Sequence, residues 1–218
     1  FVCCMFFHGE LAGMKPAPRY LTTFYLTLAL GGALGGVLIG FVAPKLFNTY
    51  YEFGIGLVVT LLLAVYLARR MPLFVPLLAL GAAGFTGYHV YHYIDFLSQD
   101  TRVMARNFYG TLRVKDTGPE TSEDAVRRLM HGVIMHGEQY FAPEKRAEPT
   151  TYYGPSAGVG LAIKASLAAP VRVGVIGLGT GTLATYGRPD DVYRFYEINP
   201  QVVEFARKEF SFLGSSGA

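Results

Sequence analysis

Three glycines and an acid carry the most specific chemistry in this chain. Val171-Arg-Val-Gly-Val-Ile-Gly-Leu-Gly-Thr-Gly-Thr182 is an apolar, β-branched run that enters a turn of the form Gly177-x-Gly179-x-Gly181. Tyr193-Arg-Phe-Tyr-Glu-Ile-Asn-Pro200 opens with a second β-rich run, which ends on Glu197, twenty residues after Gly177. Glycines at a strand-to-helix turn let the backbone bend tightly and approach a ligand, and an acid at the tip of the next strand accepts ribose hydroxyls. The pattern predicts a nucleoside site built from Gly177, Gly179, Thr180, Gly181, Glu197 and Ile198. The turn is shorter than the Gly-x-Gly-x-x-Gly of dinucleotide enzymes, since Thr182 and Leu183 follow Gly181. That favours one nucleoside without a pyrophosphate, as in S-adenosylmethionine or decarboxylated S-adenosylmethionine.

Two short strands and a crossover must position those groups. The predicted strands are the runs at Val171–Ile176 and Tyr193–Tyr196, with a helix opening at Thr180–Thr185 between them. Asn199 followed by Pro200 is a strong helix start. Upstream, Ser156–Leu167 reads as a helix with Ser156 as its N-cap. Asn107–Val114 alternates as one strand, and Arg128–Phe141 reads as two short strands broken by glycines, a small antiparallel β unit. Within it His131, His136 and Glu138 are polar candidates for the substrate pocket. Tyr152 and Tyr153 would supply aromatic walls for an adenine or an aliphatic amine.

The other half of the chain has a different character. The 218 residues have mean hydropathy +0.31 and only 16% charged residues, too apolar for an ordinary soluble domain. The apolar content lies in 1–97. Spans are expected at about 20–43, 51–68 and 72–94, each near the 20 apolar residues a bilayer requires, with residues 1–7 the end of a preceding helix. Tyr20, Tyr50, Tyr51, Tyr88, Tyr91 and Tyr93 sit at their ends as an interfacial belt. Gly32, Gly36 and Gly40 on the first span, and Gly81, Gly84 and Gly87 on the third, are expected to let helices approach closely. His89 and His92 lie one helical turn apart, but no third ligand accompanies them, and they read as interfacial side chains. His8 and Glu10 read as a solvated loop.

Several classes are excluded by composition. The net charge is +3 and no basic cluster stands out, so nucleic acid is not an expected partner. Cys3 and Cys4 are adjacent and have no third cysteine to pair with, so neither a disulfide framework nor a metal site is expected. Both ends read as cut: the chain opens on a hydrophobic run, and two parallel strands cannot make a stable sheet. The sequence is therefore expected to be a fragment.

The order of membrane helices, β unit, Tyr152-Tyr-Gly-Pro155, Gly177-Leu-Gly-Thr-Gly-Thr182 and Tyr196-Glu-Ile-Asn-Pro200 resembles the membrane-fused spermidine synthase-like proteins, with Arg106-Asn-Phe-Tyr-Gly110 and Leu129-Met-His-Gly132 as further points of likeness. The resemblance implies a helical membrane region joined to an α/β, Rossmann-like S-adenosylmethionine-binding domain. The domain borders would be 1–97, 98–151 (linker and β unit) and 152–218. It implies that Gly177, Gly179 and Gly181 turn beneath the nucleoside and methionine-like portion and that Glu197 holds the ribose. It implies aminopropyl transfer to a small amine substrate at a bacterial inner membrane, with the lipid bilayer and other membrane subunits as partners. The chain departs from soluble spermidine synthases in the glycine turn, where Thr180 stands in place of the usual acid, at His131 and Met135, which replace an acid and a glutamine, and at Tyr152-Tyr153-Gly154, where those enzymes carry Tyr-His-Glu. The general base of such enzymes is expected beyond residue 218. Methyl transfer from S-adenosylmethionine and a non-catalytic accessory role in a membrane complex are the alternatives. A nucleoside made in the cytosol places the soluble half there, although Lys15, Arg19, Arg69 and Arg70 weigh the positive-inside count slightly the other way.

Overall fold

The computed structural model describes residues 1–119, 121–166 and 170–218. It forms two compact units, Phe1–Gln99 and Asp100–Ala218.

The first unit is helical. Helix α1 is Val2–Gly13, α2 Leu21–Val37, α3 Ala43–Leu46, α4 Tyr51–Leu67 and α5 Phe74–Ser98. A 3₁₀ turn leads into α2, and a π-helical turn, Leu38–Val42, joins α2 to α3. Together they form one helical run, Pro18–Leu46. The π turn has a local cause. Pro44 lacks an N–H, and its ring would strike the carbonyl of Gly40 in a regular helix. Widening the turn, with Ala43 N–H donating to Leu38 O, relieves that clash.

Two helical runs among the described residues are long and apolar enough to cross a membrane: Pro18–Leu46, with mean hydropathy 2.1, and Tyr51–Arg70, with 1.9. The third expected span does form a helix, α5, of 25 residues. It is not among the two, because Tyr88, His89, Tyr91, His92 and Tyr93 make its second half polar. His89 and His92 are spent on aromatic contacts there, with ring centroids 4.3 Å from Phe85 and Tyr88 respectively.

Of the glycines expected to mediate helix packing, Gly87 alone has a neighbour that an added methyl would touch. A methyl added at Gly32, Gly36, Gly40, Gly81 or Gly84 would meet no atom within 4 Å. The close approach is at Gly54 on α4, where a Cβ would lie 2.7 Å from Val90 on α5, with Gly87 near Val58. That register makes α4 and α5 an antiparallel pair.

The second unit begins with a four-stranded antiparallel meander, β1 Thr101–Asn107, β2 Gly110–Thr117, β3 Val126–His131 and β4 Ile134–Tyr140, in the order β1-β2-β3-β4. The single strand expected across 107–114 is two strands. A tight turn at Phe108–Tyr109 splits it, because Asn107 Oδ1 accepts the Tyr109 N–H and Gly110 takes φ +124°. The two strands expected around Gly132 are present as β3 and β4, with Gly132 at φ +61°.

Helix α6 is Gly158–Ala165, with Ala157 rather than Ser156 at its N-cap and no side-chain cap bond. The expected end of that helix at Leu167 lies outside the described residues. Strands β5, Arg172–Ile176, and β6, Val192–Tyr196, then pair in parallel, and α7, Pro200–Lys208, follows. Asn199 caps α7, its side chain accepting from Gln201 N. The helix expected from Thr180 is a short 3₁₀ turn, Thr182–Tyr186. Gly187 and Pro189 halt it after one turn, and Thr182 and Thr185 are poor helix formers.

The core of this unit lies between the meander and α7. Leu112, Val114 and Leu129 of the sheet meet Val202, Phe205 and Ala206 of α7, together with Phe210, Phe212 and Leu178. Alternation along β2 and the 3.6-residue stripe of α7 produce those faces. Arg127 fastens the edge, with a bidentate pair to Asp116 at 2.7 and 2.9 Å and a bond to Glu209 O. Gln139 binds Ser211 through both ends of its amide.

Candidate functional site

Where β5 ends, the backbone turns through Gly177, Leu178, Gly179, Thr180 and Gly181. The three glycines have φ of +91°, +57° and +86°. Left-handed backbone is costly for any residue with a Cβ. At Gly179 a Cβ would also lie 2.7 Å from the carbonyl oxygen of His136, so the turn is seated directly on β4. Gly137 allows the other half of that seating, since a Cβ there would fall on the Thr180 side chain.

Glu197 closes the turn from the end of β6. Its Oε2 accepts the Leu178 N–H at 3.0 Å and its Oε1 accepts the Asn199 N–H at 2.8 Å. The acid read from the sequence as a ribose acceptor is thus also the clamp of the loop. Each oxygen keeps a second acceptor site for a ligand hydroxyl.

A cleft of ≈ 410 Å³ opens beside this turn. Gly177, Leu178, Gly179, Glu197, Ile198 and Asn199 line one side. Tyr109, His131 and His136 come from the meander, with Tyr153 alongside and Leu112, Leu129 and Val202 at the base. The cleft thus gathers Gly177, Gly179, Glu197, Ile198, His131, His136 and Tyr153 from the sequence candidates.

The others lie elsewhere. Thr180 is fully buried, its hydroxyl bonded to Thr182 Oγ1 at 2.8 Å. Gly181 packs against Leu213. Glu138 is held by Arg128 Nε at 2.8 Å and is not in the wall. Tyr152 is exposed, stacked at a tilt on Tyr153 with centroids 4.4 Å apart. Burial and then the neighbouring Tyr152 push the Tyr153 phenol up to about 12.

No family model, no curated protein and no solved structure matches this chain.

Two residues that sequence reasoning passed over, Tyr109 and Asn199, shape the cleft, and so does His136, a pocket candidate whose aim the sequence did not explain. Tyr109 enters from the β1–β2 turn. The β3–β4 ladder pairs Leu129 with Gly137 and Met130 with Met135, so His136 is the extra residue of a β-bulge. Bulges re-aim side chains, and this one turns His136 into the cleft. Burial first, and then His131, lower its pKa, while Glu197 raises it. The two imidazole centroids are 5.6 Å apart. His131 Nε2 donates to Tyr109 O at 2.8 Å, which leaves its Nδ1 for other work.

Asn199 is the second of those passed over. It is only 3% exposed. Its Oδ1 accepts from Gln201 N at 3.1 Å and from Asn107 Nδ2 at 2.6 Å, which fixes the amide orientation. Its Nδ2 is buried with no hydrogen-bond partner. The signal for Asn199 was present in the sequence as a cap, but a cap says nothing about where the opposite end of the amide points. Among the described residues no group of three or more His, Cys, Asp or Glu is placed to hold a metal ion.

Proposed function

We propose that the cleft binds the adenosyl portion of S-adenosylmethionine or its decarboxylated form, and that the protein is a membrane-anchored transferase of the spermidine synthase-like type. The observation that carries the reading is the pairing of the Gly177–Gly181 turn with Glu197 at the C-terminal ends of two parallel strands. Ligands of open α/β sheets bind in the crevice outside those ends. Positive φ at all three glycines lets backbone come within contact of a ligand. The free acceptor sites of Glu197 suit a ribose diol, and Tyr109, Ile198 and Tyr153 suit an adenine ring. A Rossmann-like course for residues 152–218 is part of the proposal, supported by the right sequence order and the parallel β5–β6 pair.

Membrane anchoring is supported by the two long apolar helical runs. Only 6% of each hydrophobic window is buried, so neither is the core helix of a soluble domain. Phe41 and Phe53 on those runs are 70% and 71% exposed, as lipid-facing side chains are. The lipid bilayer is then one partner and a small amine the other. The cytosolic source of the cofactor places the second unit in the cytoplasm.

The test is calorimetric titration of the full chain in mild detergent with methylthioadenosine. This ligand carries adenine, ribose and thioether and nothing more. Saturable binding that weakens in Glu197→Ala supports the reading, and absence of binding overturns it.

A second reading, an accessory subunit that docks through the β5–β6 face, is favoured by the exposure of Ile176 at 95% and of Tyr196 beside it. Extraction from native membranes as a fixed complex, without methylthioadenosine binding, would support it.

A further inference from the structure

The cleft has an imbalance of hydrogen-bonding groups. Its one carboxylate, Glu197, already accepts two backbone N–H groups. Two further side chains in its wall, Asn199 and His136, bring N–H donors. Asn199 Nδ2 is buried without a partner, and its amide cannot be turned over, because Oδ1 is held by the Gln201 N–H and by Asn107. A buried donor left unmade is costly, and native structures rarely keep one without a ligand or water to fill it. His136, displaced into the cleft by the bulge, has at least one N–H in either tautomer and two when protonated. The Nε2–H of His131 is committed to Tyr109 O. Donors from Asn199 and His136, with no unengaged acid, suit an anionic acceptor group on the ligand, and give little to a ligand that ends in an ammonium alone.

We propose that the cleft selects an adenosyl ligand that keeps its α-carboxylate, with the carboxylate received by His136 and Asn199. The inference rests on the nucleoside reading of the cleft and names which of the two cofactor forms it takes. Charge-assisted bonds from imidazole and amide N–H groups are the stronger class of hydrogen bond, and the loss of one is worth about tenfold or more in affinity. Decarboxylation removes the acceptor of both.

The experiment compares three thioethers on the full chain by calorimetry: methylthioadenosine, S-adenosylhomocysteine and decarboxylated S-adenosylhomocysteine. All three present the same nucleoside and an uncharged sulfur, so only the tail differs. We expect S-adenosylhomocysteine to bind about tenfold more tightly than the decarboxylated compound. His136→Phe keeps a ring of similar size in the bulge and removes the donor. It should erase most of that difference while methylthioadenosine binding holds. Asn199→Asp keeps the cap acceptor for Gln201 N and replaces the free donor by an oxygen. It should reverse the preference, so that the ammonium-tailed compound binds more tightly. Retained methylthioadenosine affinity in both variants shows that the cleft is folded. Equal affinities, or a preference for the decarboxylated compound in the unaltered chain, would overturn the carboxylate assignment and leave the nucleoside site standing. Failure of all three ligands to bind would overturn the site itself.

Discussion

Glu197 and Leu178 are joined across nineteen positions by one hydrogen bond of 3.0 Å, from the Leu178 N–H to Oε2. That bond fixes the glycine turn to the end of β6. The second oxygen, on Asn199 N at 2.8 Å, fixes the start of α7 to the same carboxylate. Glu197→Gln keeps one carbonyl oxygen but turns an NH₂ toward one of the two backbone donors, leaving it unpaired. The expected cost is about 1–2 kcal/mol of stability, read from the urea midpoint. Glu197→Ala should lose both clamps and the ribose contacts, weakening methylthioadenosine binding by about tenfold or more. A stability loss with unchanged affinity would leave Glu197 a clamp alone.

The glycines of the turn are not equivalent. Gly177 and Gly179 both have positive φ, so alanine strains each by about 1–2 kcal/mol. At Gly177 nothing lies within 4 Å of an added Cβ, whereas at Gly179 the His136 carbonyl oxygen lies at 2.7 Å. Gly179→Ala must therefore move backbone on β4 as well. Thermal unfolding should place Gly179→Ala well below Gly177→Ala, and the gap should be about 1 kcal/mol or more. Equal midpoints would mean that the turn is not seated on the bulge.

Much of this was legible in the sequence. Several signals that depend on a single residue and its chain neighbours held: the glycine turn, the Asn199 cap, the Gly132 hairpin and the two most apolar helical runs. Some misread features are local, as where Gly187 and Pro189 halt the helix expected from Thr180, and others depend on residues far apart in the chain. Asn107–Val114 alternates as one strand, yet Asn107 folds its side chain onto Tyr109 and reaches Asn199, ninety-two positions away. His136 is a pocket candidate in the sequence, but only the Leu129–Gly137 register shows the bulge that turns it into the cleft. Glycine spacing singled out Gly32, Gly36 and Gly40, but Gly54 makes the close contact because Val90 happens to face it.

Acid should unfold the second unit in a defined order. Asp191 is buried and accepts from Val171 N, from Arg188 N and from the Arg188 guanidinium. The Arg188 bond, and then the Val171 backbone N–H, hold its carboxyl down to about 2, against an ordinary 3.8. A carboxyl lowered by folding stabilises the folded state above its unfolded value. That stability is lost as pH falls from about 3.8 towards 2. Asp191→Asn should be less stable at neutral pH and show a flatter acid limb across that window. A parallel shift with the same acid slope would remove Asp191 as its source.

His136 acts at milder pH and with the other charge type. Burial and the facing His131 disfavour its imidazolium, and Glu197 opposes them only in part. The unfolded chain therefore binds the proton more readily than the folded one between the lowered value and 6.5. Stability is fully present above pH 6.5 and falls as the pH drops through that window. His136→Phe should abolish this segment of the stability–pH curve. An unchanged curve would assign the slope to other groups.

In the helical unit the contact to test is Gly54 against Val90. An added methyl would sit 2.7 Å from one Val90 methyl and 3.0 Å from the other. Small residues at helix contacts matter in lipid because close packing, not the hydrophobic effect, holds such helices together. Gly54→Ala should lower the unfolding midpoint of the full chain in detergent, and Val90→Ala alone should lower it by loss of packing. The double variant restores the space, since the new methyl at 54 takes the place of those removed at 90. The double-variant cycle should thus show a coupling of about 0.5 kcal/mol or more, with the pair more stable than the sum of single changes. Additive losses would mean that α4 and α5 do not meet at this point.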